Sequence, residues 1–91
     1  MTSPGLTVTS DERKLADSLE ASLLAKHGPL MSGEALSRAL GHSSTASLRQ
    51  AKHRGETAVP LFTVPNRRPL FALTSDVAHW LAHMRFSHAV N

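Results

Sequence analysis

The sequence predicts a mainly α fold with one small β-hairpin, a winged helix-turn-helix. Three observations carry that expectation. Leucines and alanines recur every three or four residues from Leu15 to Leu24, the period of a helix with one apolar face. Two short helical stretches, about 32–41 and 43–54, are joined at Gly41, which is the outline of a helix-turn-helix. A β-branched and aromatic run, residues 59–65, is followed by Asn66–Arg67–Arg68–Pro69 and by residues 70–73, which reads as strand, turn and returning strand.

Residues 1–8 lack any period and read as a tail. Thr9 and Glu12 have the spacing of a capping box, and the helix they open, 9–28, carries Leu15, Ala16, Leu19, Leu23 and Leu24. Gly28 and Pro29 stop it, because glycine accepts the left-handed C-cap and proline cannot continue the turn. The winged domain spans 30–86. In it Ser32 caps a helix that turns Ala35, Leu36, Ala39 and Leu40 inward, and Ser43 caps the next, which Gly55 closes. Thr74 or Ser75 caps a last helix with Val77, Trp80, Leu81 and Met84 on one side. Trp80 is the expected core anchor, against Phe62 or Phe71. Residues 87–91 form a C-terminal tail.

Composition narrows the function. A chain of 91 residues makes one small core, and dimerisation would stabilise it. There is no cysteine, hence no disulfide and no thiolate ligand or nucleophile. No apolar run approaches the roughly 20 residues of a membrane helix, and the start lacks the order of a signal peptide, so a cytoplasmic protein is expected. Charge is unevenly spread. Residues 31–73 hold Arg38, Arg49, Lys52, Arg54, Arg67 and Arg68 against only Glu34 and Glu56, and a polyanion is the natural partner of such a surplus.

On a helical projection of 43–54, Leu48, Ala51 and Ser44 fall on the buried side with Lys52 at its edge. Ser43, Ala46, Ser47, Arg49, Gln50, His53 and Arg54 fall opposite. Most polar stripes are merely solvated. This one, however, has small residues first and long donors after, as close approach to a major groove requires. Arg49, Gln50 and His53 are the candidates for base edges. Ser43, Ser47, Arg54, Arg67 and Arg68 are the candidates for backbone or wing contacts, since adjacent arginines on a turn repel each other and serve folding poorly. His79 and His83 lie four apart, a spacing at which two imidazoles can share a metal, with His88 as a third ligand. No carboxylate stands at the zincin position, and no metal or cofactor is expected. Nor is an enzyme, for the chain has no phosphate loop and no activated nucleophile.

The stretch GEALSRALGHSSTASLRQAKHRGE, then VPLF, then NRRPLFALTSDVAHWLAHMR resembles the AlpA-type and excisionase-type regulators of phages and plasmids. These are relatives of the MerR-type DNA-binding domain, and the pyocin-activator regulators have a similar layout. Arg54–Gly55 stands where such proteins end the helix-turn-helix, Arg67–Arg68 where they carry a basic wing, and Asp76, Val77, Trp80 and Leu81 in their closing helix. The chain departs from them at Ala46 and Leu48, where a threonine or aromatic residue is frequent. The resemblance implies sequence-specific binding of duplex DNA by a small bacterial transcriptional regulator or excisionase-like factor. A homodimer is expected, with helix 9–28 as its candidate dimerisation element. The alternative is a phage- or plasmid-encoded module that captures a host protein. No small-molecule substrate is indicated.

Overall fold

The computed structural model describes residues 10–87, so Thr9, the tail 1–8 and His88 lie outside the described residues. Helix α1, Ser10–His27, has Asp11 and Glu12 in its first turn and Lys26 and His27 in its last, each complementing the helix dipole. It ends where expected. The Gly28 amide donates to the Leu24 carbonyl at 2.8 Å with φ 77°, a left-handed cap. Strand β1, Leu30–Ser32, leads directly into α2, Gly33–Ala39. Then come α3, Thr45–His53, strand β2, Phe71–Leu73, and α4, Thr74–Ser87. The described chain is thus mainly helical, with one two-stranded antiparallel sheet.

The sheet differs from the expected hairpin. Leu30 pairs with Leu73, Met31 with Ala72 and Ser32 with Phe71, so β2 finds its partner ahead of the helix-turn-helix. The run 59–65 contributes a single bridge, in which Phe62 and Phe71 exchange N–H···O bonds of 2.9 and 2.8 Å. The reason is proline. Hydrogen-bonded pairs recur every second residue along an antiparallel ladder, so the next two would join residue 60 to 73 and residue 64 to 69. Pro60 and Pro69 have no N–H to give, and the ladder stops on both sides. The turn also sits earlier than expected. Arg67 N–H donates to the Val64 carbonyl at 3.0 Å, with Pro65 and Asn66 central and Asn66 at φ 67°, as a type II turn requires.

The core gathers Met31, Leu36, Leu40, Leu48, Val59, Ala72 and Val77, with every helix but α1 supplying at least one of them. Trp80 is not the anchor. It is half-buried at the margin of this cluster, while Phe62 and Phe71 stack on each other, centroids 6.4 Å apart. α1 lies antiparallel along α4, with Glu12 facing His83 and Glu20 facing His79. Its most buried residues are Glu12 and Ala16, not the leucines: Leu15, Leu19 and Leu23 are half-buried and Leu24 is exposed. On α4 the buried set includes Ala78 and Ala82. Small residues on both helices allow their axes to come close.

Thr74, fully buried, does not cap its own helix through its side chain. Its hydroxyl donates to the Gly28 carbonyl at 2.6 Å and its amide to the Pro29 carbonyl at 2.9 Å. The start of α4 is thereby fastened to the end of α1. Thr74→Val keeps the shape and removes the hydroxyl donor, so a loss of about 1–2 kcal/mol is expected in urea unfolding. A loss within error would mean that solvent replaces the bond freely.

Candidate nucleic-acid interface

The turn between α2 and α3 is built by two reciprocal bonds. Gly41 N–H donates to the Arg38 carbonyl at 3.0 Å and His42 N–H to the Ser37 carbonyl at 2.8 Å, the two bonds of a Schellman motif. Gly41 holds φ 85° there. A methyl group at this position would meet no atom within 4 Å, so Gly41→Ala tests backbone strain alone. It should cost about 1–2 kcal/mol in thermal or urea unfolding, and Gly41→Asn less. α3 ends in the same way, with Gly55 bonded to the Lys52 carbonyl and Glu56 to that of Ala51.

The first motif carries the chain through His42, which shifts the cap of α3 by one residue from the expected Ser43. Ser44, extended at φ −158°, accepts from the Ser47 amide at 3.1 Å. It is exposed rather than on the buried side. Ser43 is an exposed bridge residue ahead of it. The Ser47 hydroxyl lies 2.9 Å from His42 Nδ1, so its polar groups already serve the turn. Leu48 and Ala51 are buried as projected, and this alone turns Arg49, Gln50, Lys52 and His53 to the outside.

Ion pairing then selects among the cations. Glu34 meets Arg38 at 3.2 Å one helical turn away. Glu56 meets Arg54 at 2.8 Å, so one of the candidate backbone contacts is already shared with a carboxylate. Both pairs are exposed and add little stability. Their effect is to use up the two acidic groups of this region. Among the described residues no carboxylate pairs with Arg49, Lys52, Arg67 or Arg68.

The sequence presents a helix face and an arginine-bearing turn as separate features. In the fold they meet. A groove of about 210 Å³ runs between α3 and the segment before β2, lined by Ser37, Thr45, Leu48 and Arg49 on one side and Arg68, Pro69 and Leu70 on the other. Arg49 also borders a second concavity of about 220 Å³ with Lys52 and His53. Arg49 is therefore the hinge of a continuous basic surface. Gln50 is exposed on the same helix and lines neither hollow, and Arg67 is exposed at the end of the turn. Lys52 is the residue that helical projection missed. Projection assigned it to the edge of the buried side, whereas its long stem clears that edge and leaves its charge in solvent. Compared with family models, curated proteins and solved structures, the chain matches none.

Proposed function

We propose that this chain is a winged helix-turn-helix protein that binds duplex DNA, with α3 in the major groove and residues 59–73 as the wing on backbone or minor groove. The order of elements supports the fold reading: α1, β1, α2, α3, the Phe62 bridge, a loop, β2 and α4. In it β2 lies between β1 and Phe62, so a loop tipped with basic residues projects beside the second helix of the pair. The observation that carries the functional reading is the groove shared by Arg49 and Arg68. Two like charges from distant parts of the chain line it, and among the described residues no carboxylate pairs with either. Such a groove suits a phosphate or a guanine edge.

In this reading Arg49, Gln50 and His53 meet base edges, while Arg68, Arg67 and Lys52 hold the backbone. The role is that of a small transcriptional regulator or excisionase-like factor, acting as a homodimer on paired half-sites. Fluorescence anisotropy of the chain with labelled duplexes of random sequence, at rising salt, tests it. Affinity should fall linearly on logarithmic axes, with a slope of about −0.9 per phosphate contacted. Absence of duplex binding at low salt would end this reading. Selection from a random duplex pool then reports the preferred site and, through its symmetry, the stoichiometry.

A further inference from the structure

Away from the basic groove, the seam between α1 and α4 gathers the other polarity. Here the sequence pattern misleads, because His79 and His83 do not converge. His83 Nδ1 lies 3.3 Å from Glu12 and its Nε2 3.3 Å from Ser87, so both ring nitrogens have partners. His79 Nε2 lies 3.3 Å from Glu20 Oε1. Asp17 comes from the same face of α1, one turn before Glu20. The three ligand atoms of Asp17, Glu20 and His79 all lie within 4.8 Å of one another. We propose that Asp17, Glu20 and His79 form a site for a divalent first-row transition metal of the Zn²⁺ type, joining α1 to α4.

A tetrahedral ion with bonds of about 2.1 Å holds its ligand atoms about 3.4 Å apart, and the His79–Glu20 pair already stands at 3.3 Å. The imidazole nitrogen selects against Mg²⁺ and Ca²⁺, which take oxygen ligands, while the two carboxylates supply the charge that a neutral imidazole lacks. His79 Nε2 would bind the ion through its lone pair and the two carboxylates through oxygen, so the contact between His79 and Glu20 gives way to a shared metal. Water completes the shell from the adjoining concavity of about 260 Å³, which Asp17, His79, Glu12 and His83 line. Arg13 lines it too, and its charge moderates the affinity. Glu20 and His79 lie 59 residues apart in sequence on different helices, so the ion acts as a clasp that the separate helices cannot form.

Isothermal titration of the full chain with Zn²⁺ is the test, with Mg²⁺ as comparison. One Zn²⁺ per chain is expected, together with a rise in Tm that Mg²⁺ does not produce. His79→Ala, Asp17→Asn and Glu20→Gln should each weaken binding at least about tenfold and abolish the rise in Tm. His83→Ala should leave both in place. Circular dichroism of the metal-free variants establishes that they fold. The proposal is overturned by absence of saturable Zn²⁺ binding. It is equally overturned if Zn²⁺ binds folded Asp17→Asn and Glu20→Gln as tightly as the parent chain, since other histidines then hold it.

Discussion

Leu36→Ala is expected to remove about 2–5 kcal/mol of stability, the largest loss of any single substitution considered. Leu36 is 0 % exposed and sits in the cluster to which β1, α2, α3, β2 and α4 all contribute. Truncation removes the transfer energy of the side chain and leaves a cavity that rigid neighbours close only in part. A domain of this size has roughly 5–15 kcal/mol in total, and small cores lie at the lower end. The variant is therefore expected to be partly unfolded at body temperature. Urea denaturation followed by circular dichroism should show a lower midpoint with an unchanged slope. Leu24, exposed at 39 %, is the control, because truncation there should shift stability by no more than about 0.5 kcal/mol. A loss below about 1 kcal/mol at Leu36 would contradict its place in the core.

The second large effect concerns the groove and rests on the proposed DNA binding. A hydrogen bond to a charged group contributes about 1.5–3 kcal/mol, so removing either arginine should weaken duplex binding roughly ten- to hundredfold. The two losses should differ in kind. Arg68→Ala is expected to weaken all duplexes alike and to reduce the salt slope by about one, as loss of a phosphate contact does. Arg49→Ala is expected to flatten the preference among sequences by about 1–3 kcal/mol at one base pair. Because both line one groove, the double variant should depart from additivity. Both side chains are exposed, so unfolding midpoints should stay near that of the parent chain and separate binding from folding. If Arg68→Ala changed sequence preference while Arg49→Ala changed only the salt slope, the docking arrangement would be reversed.

The helices were legible because their signals are local. The three- and four-residue period from Leu15, the stop at Gly28 and the glycine turns at Gly41 and Gly55 each lie within one short window. Their Schellman bonds span only five residues. The cap at Ser44 shows the limit of such reading. Ser43 and Ser44 are equally suited to capping in isolation, and the choice depends on where the preceding motif released the chain.

The sheet was hidden for the opposite reason. β1 has three residues, too few to show alternation, and its partner lies beyond the whole helix-turn-helix. Pro60 and Pro69 were visible from the start, yet their veto on the ladder follows only from the Phe62–Phe71 register. Trp80 was read as the anchor because it is large and lies on the apolar side of its helix. Val59, Leu36 and Val77 fill the centre instead, and a tryptophan at the margin keeps its indole N–H accessible to water.

By itself, then, the sequence determined the helices, their stops, the apolar face of α3 and the surplus of positive charge between residues 31 and 73. Periods, caps and composition need no distant partner. Tertiary structure alone decided which cations remain unpaired, which strand β2 joins, and that Arg49 and Arg68 border one groove. It also decided that Asp17, Glu20 and His79 meet. Each of these depends on contacts between residues far apart in the chain, and the free energy of such a contact is realised only when the intervening loops have closed.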